Sequence, residues 1–156
     1  MSELADAAGR ALPWEGFKAS AAILTGAVQN EALILAQLAL LLKAVDVVVF
    51  ATWEGHYARF SPWLAQLGTW KSSARFRLVE VSQGGRQHTA VSMMPFLTSA
   101  KVQDSMLRLG LLNVMDMIEE ATIAGVESVA DVLVLKTRPD AYLPPRLVRH
   151  VLQLDY

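Results

Sequence analysis

The chain has 156 residues, 53% of them apolar and 19% charged, with a net charge of −1 and no cysteine. That balance describes one folded domain and not a disordered chain. It excludes disulfides and thiolate metal sites, and it offers no electrostatic support for nucleic acid or an anionic membrane surface as partner. The missing cysteines fit a reducing compartment, so the expected location is cytoplasmic.

Met1 to Ser20 lacks a clear period and is broken by Gly9, Pro13 and Gly16. Acidic Glu3 and Asp6 stand where a signal peptide is basic, and no apolar core follows. Residues 1–20 are read as a tail or linker, and residues 21–156 as a single α/β domain. Ala21 to Gly26, AAILTG, is an apolar run ending in a turn and is the first expected strand. Asn30 is placed to cap a helix, and Glu31 suits its positive end. Glu31 to Ala44 is rich in Ala and Leu, so it favours helix. Its apolar run Ala32 to Leu42 is too short for a membrane span, which needs about 20 residues.

Val45 to Trp53 carries four valines, which predicts a strand buried on both faces. Ser61–Pro62 then opens an expected short helix, Pro62 to Leu67, stopped by Gly68. Arg75 to Val81, RFRLVEV, alternates charged and apolar residues and predicts a half-exposed strand near a sheet edge. Gly85 to Ala100 gives no clear pattern. Ala100 to Ala124 repeats apolar residues every three or four positions, so a helix is expected, weakened by ~1 kcal/mol at Gly110. Ser128 to Leu135 is the last expected strand, and Pro144–Pro145 opens a last short helix from Arg146 to Leu154.

The alternation predicts a mostly parallel, Rossmann-like sheet with helices on both faces. In such a sheet the strand C-termini share one rim, where ligands bind. That rim would collect Thr25, Gln29, Asn30, Thr52, Glu54, His56, Gln83, Arg86, Lys136, Arg138 and Asp140. Lys136 and Arg138 are expected to diverge, one structural and one facing the ligand. Trp53 is suited equally to packing and to stacking on a base or sugar. Only Gly26 stands where a dinucleotide fingerprint needs three glycines, and there is no P-loop. His56, His88 and His150 are too scattered for a zinc site, and no nucleophile motif occurs.

Three stretches in order, AILTGAVQN, VVVFATWEG and LVLKTRPDAYL, resemble the WavE-like lipopolysaccharide-synthesis glycosyltransferases. In that family a first strand ends in a Gly-Pro-type turn, a second in Ser/Thr-Trp, and a later one carries Arg-x-Asp. Here these correspond to Thr25–Gln29, Ala51–Glu54 and Thr137–Asp140, with Ala27 where the family favours proline. The resemblance covers about Ala21 to Leu143. It implies the nucleotide-sugar-binding half of a GT-A-type fold.

By that resemblance Thr25, Gly26 and Gln29 would line the nucleoside side, and Trp53 and Glu54 would meet base or ribose. Arg138 and Asp140 would meet the diphosphate, with Asp140 as ligand of Mg2+ or Mn2+. Arg138 occupies the first position of the family's two-carboxylate clamp, so Asp140 stands there alone. No residue is assigned as base. The expected function is a glycosyltransferase-like domain that transfers from a nucleotide sugar to a polysaccharide or lipopolysaccharide acceptor. It would be completed by further chain, a homo-oligomer or a second protein half. The alternative is a non-catalytic assembly or regulatory module of the same fold.

Overall fold

The computed structural model describes residues 16–72, 75–81, 95–139, 141 and 143–147, with side chains left out for 69–72 and 95–103. The elements are β1 (Ala19–Thr25), α1 (Glu31–Ala44), β2 (Val47–Trp53) and α2 (Glu54–Phe60). A 3-10 segment (Ser61–Ser72), β3 (Phe76–Val81), α3 (Pro95–Glu120), a 3-10 turn (Val129–Asp131) and β4 (Val132–Thr137) follow. The four strands are all parallel, in the order β3-β2-β1-β4. This is a Rossmann-like α/β arrangement. None of the described helices is long and apolar enough to cross a membrane.

The two central strands explain their composition. β1 pairs on both sides, Ile23 with Val49 and with Lys136. Ala21 to Leu24 and Val47 to Ala51 are fully buried, because helices cover both faces. Side chains alternate between the two faces along each strand. Ala22, Leu24, Val48 and Phe50 pack with α1, Phe60 and Leu67. Ala21, Ile23, Val47 and Val49 pack with Val114, Met117 and Ile118 of α3. β3 lies at one edge, as its alternation predicts, and β4 at the other.

α1 begins where its cap residue predicts: Asn30 Oδ1 accepts the Leu33 amide at 3.0 Å. Several boundaries move. β1 begins at Ala19, two residues inside the expected tail. β4 begins at Val132, because Ser128 and Asp131 instead form a capping box on the preceding turn. The helix after β2 starts at Glu54, immediately at the strand end, with Trp53 as its N-cap residue. Pro62 to Leu67, expected as a short helix stopped by Gly68, is helical as part of the 3-10 segment, which Gly68 interrupts with φ 63°. α3 runs from Pro95, five residues earlier than expected, and ends at Glu120. The last expected helix is begun by residues 145–147, and the rest of it lies outside the described residues.

Gly110 corrects the propensity argument. A Cβ there would lie 2.7 Å from Ile23 Cγ2, closer than side chains tolerate. The glycine lets α3 lie directly on β1. What helix propensity counts as a weakness is a packing requirement.

Candidate functional site

The chain runs outward from β1 to β2 to β3, then crosses the opposite face through α3 and returns to the free side of β1 as β4. The strand order reverses between β1 and β4, which makes the C-terminal end of this pair the switch point of the sheet, where such folds bind ligands. A cavity of about 330 Å³ lies at this rim, lined by Thr25, Gly26, Ala27, Gln29, Trp53, Lys136 and Arg138.

Each wall has a local cause. Thr25 ends β1 and is buried. Gly26 follows with φ 141°, a conformation that L side chains rarely adopt. A Cβ on Gly26 would lie 3.2 Å from Pro139 Cδ, so the glycine also permits the β1 turn to touch the exit of β4. The β4 side is tied down behind the crevice. The buried Gln37 of α1 donates from Nε2 to the Ala141 carbonyl at 2.6 Å. Leu143 packs on the same apolar cluster as α1.

The β1–α1 turn is held from the neighbouring unit. Thr52 Oγ1, fully buried, donates to the Gly26 carbonyl at 2.7 Å. His56 Nδ1 accepts the Val28 amide at 3.1 Å, and Arg59 donates from its guanidinium to the Val28 carbonyl at 3.0 Å. Arg59 Nε lies 2.5 Å from Glu31 Oε1. That oxygen has no aligned hydrogen bond, so the contact is ionic. Trp53 sits over His56 with ring centroids 5.8 Å apart. The Trp53 indole N–H is buried and has no acceptor among the described residues.

Five residues expected at the site line one crevice: Thr25, Gly26, Gln29, Trp53 and Arg138. Glu54 is exposed in the first turn of α2 and is not in the lining. Asp140, and with it the expected metal position, lies outside the described residues, as do Gln83, Arg86, His88 and His150. Lys136 and Arg138 do not diverge. They are two apart on an extended chain, and residues at that spacing share a face. Both line the crevice, so the expectation fails on strand geometry itself. Ala27 was not among the expected site residues, and Lys136 was expected at the rim but not assigned to the ligand. Lys136 could have been found from that same two-residue repeat. Among the described residues, the side chains of Gln29 and Lys136 make no hydrogen bond or ion pair.

The electrostatics of the lining are simple. Its two charged side chains are both cations, Lys136 and Arg138, and both residues are exposed. This donor set suits an anion with several oxygens, phosphate above all. It does not suit a divalent cation, and among the described residues no three His, Asp or Glu side chains gather to hold one. Fold and rim together define an α/β domain with a cationic switch-point crevice. No family model, curated protein or solved structure matches the chain.

Proposed function

We infer that this crevice binds the diphosphate of a nucleotide sugar, and that the domain is the donor-binding part of a glycosyltransferase acting on a polysaccharide or lipopolysaccharide acceptor. The observation that carries the reading is the pairing of Lys136 and Arg138 along one wall of the switch-point crevice. The resemblance of the β1, β2 and β4 ends to WavE-like enzymes supports the same assignment.

In this reading Lys136 and Arg138 meet the phosphate oxygens. They stabilise the charge that collects on the diphosphate as the sugar departs. Thr25, Gly26 and Gln29 form the wall on the nucleoside side, and the Trp53 face supplies a stacking surface. The cavity of about 330 Å³ is at the lower end of ligand-pocket sizes, which suits part of a sugar nucleotide. Mg2+ or Mn2+ at Asp140 belongs to the family's pattern. The cationic lining is a poor fit for it, and binding here is assigned to the two side-chain cations. The setting is cytoplasmic, where sugar nucleotides would meet a cysteine-free domain. A second half, from further chain or another protein, would present the acceptor.

Calorimetric titration with UDP-, GDP- and CDP-sugars, with and without Mn2+, tests the reading. Binding of at least one without Mn2+ is expected. A folded sample that binds none of them sinks it.

One observation favours the alternative, a non-catalytic assembly module. Among the described residues no strand pairs with the outer edge of β4, whose sequence Val132-Leu133-Val134-Leu135 carries no charge. An apolar open edge is a template for another strand. Light scattering that shows a strict monomer, together with sugar-nucleotide turnover, would reject this alternative.

A further inference from the structure

The turn that forms the β1 wall of the crevice takes much of its order from α2. Between Gly26 and Val28, two carbonyls and one amide are bonded by side chains from the end of β2 and from α2. Thr52 donates to Gly26, Arg59 donates to Val28, and His56 accepts from Val28. Of these three, only the histidine bond depends on a proton. Because Nδ1 is the acceptor, the neutral ring carries its proton on Nε2. A protonated imidazole has two donors and no acceptor, so it would face the Val28 N–H with a second N–H.

We propose that His56 is a positioning residue for the ligand crevice: with Nδ1 unprotonated it holds the Val28 amide and hence the 26–29 wall, and on protonation it releases them. Its consequence for binding rests on the crevice being the nucleotide site inferred above. The clamp itself does not. His56 touches the turn and not the ligand, so its role is to position the wall and not to react.

The setting makes the histidine, and not a neighbour, the variable part. Arg59 and Glu54 lie on the same helix, and Glu31 comes from α1 to pair with Arg59. Lys136 and Arg138 line the same crevice from β4. Histidine is the side chain that ordinarily changes charge between pH 8 and pH 5. With the ring protonated, Val28 would keep only its Arg59 bond, while Thr52 still holds the Gly26 carbonyl.

Asparagine places Oδ1 the same number of bonds from the backbone as Nδ1 of histidine, and it does not titrate. His56→Asn therefore keeps the acceptor and removes the proton dependence, whereas His56→Ala removes both. The experiment follows hydrogen exchange of the Val28 amide in the full chain at pH 8 and pH 5. Protection is expressed relative to the Val49 amide at the centre of the sheet. In the wild type, protection of Val28 is expected to fall roughly three- to tenfold from pH 8 to pH 5, the worth of about one hydrogen bond. In His56→Asn it should stay high at both pH values, and in His56→Ala it should be low at both. UDP affinity, measured on the same samples, should follow the same order, with the His56→Asn protein showing how much of any change belongs to the nucleotide's own phosphate.

Equal Val28 protection at both pH values in the wild type overturns the proposal without reliance on any variant. So does an asparagine variant that behaves like the alanine one. If Val28 responds as described and UDP binds none of the proteins, the clamp stands and the nucleotide reading falls.

Discussion

At the rim where the strands begin, Ser20, Asp46, Arg75 and Asp131 bond to one another's surroundings. At the rim where they end, the side chains of Gln29 and Lys136 bond to nothing among the described residues. The Asp46 carboxylate accepts the Ser20 amide at 2.9 Å. Arg75 donates to the carbonyls of Asp46, Leu42 and Val45, closing the C-terminal end of α1. Asp131 accepts the amides of Glu127 and Ser128, and its own carbonyl accepts the Lys18 amide at 2.7 Å. Each of these groups completes backbone that would otherwise lack a partner. The opposite rim uses buried Thr52, half-buried His56 and exposed Arg59 to fix its wall, and leaves the Lys136 side chain facing the cavity. A polar strand end is therefore not informative in itself. What separates stability from binding is whether the side chain already has its partners.

Substitutions on the two rims should separate in the same way. The largest loss of stability is expected for Arg75→Ala, which strips a guanidinium from three carbonyls. Denaturant unfolding should show a loss of about 2–3 kcal/mol, in the range of hydrogen bonds to charged groups. Gly110→Ala tests the layer between the rims. Helix propensity alone predicts a gain of ~1 kcal/mol. The contact with Ile23 predicts instead a net loss of roughly 1–3 kcal/mol by overpacking, read from the same unfolding curves.

Lys136→Ala belongs to the other rim. Its unfolding midpoint should stay within about 0.5 kcal/mol of wild type. Its affinity for a UDP-sugar should fall about tenfold or more, as expected for a lost charge-assisted bond. A matched loss of stability would place Lys136 with the structural rim. The smallest effect concerns Asp131. The Glu127 amide, then the Ser128 amide, hold its carboxyl below the ordinary carboxylate value, against a small opposing contribution from burial and with a further lowering from Lys18. Its contribution is thus complete above the ordinary carboxylate range and is lost as pH falls through the lowered value. The Glu127 and Ser128 amide resonances should shift together on that descent, and Asp131→Asn should abolish the shift.

Much of the fold was legible because the signals were local. Val47 to Phe50 could only be a doubly buried strand, and Asn30-Glu31 marked the start of α1 as the cap geometry confirms. α2 was missed because Glu-Gly-His-Tyr-Ala-Arg-Phe buries only Phe60 and shows no apolar stripe. Gly110 was misread because its reason is Ile23, far away in sequence. The crevice was partly legible, since strand ends can be listed once parallel topology is assumed. Pro139 against Gly26 and Gln37 on Ala141 could not be anticipated, because both depend on β4 returning beside β1. His56 stood out in the sequence only as a histidine at a strand end. Its bond to Val28 spans 28 residues and exists only after the sheet forms.

The most direct test of the account is amide chemical-shift mapping during titration with UDP-glucose, GDP-mannose and CDP. Saturable shifts are expected at Thr25, Gly26, Gln29, Trp53 and Lys136 for at least one of them. The Ser20, Asp46 and Arg75 amides at the opposite rim should stay unmoved. A second cavity of about 600 Å³, lined by Met115, Ile118, Ile123 and acidic neighbours at the end of α3, provides an internal comparison. Shifts that cluster there, or no saturable shifts at the C-terminal rim with any of the three ligands, would contradict the assignment of the crevice as the binding site.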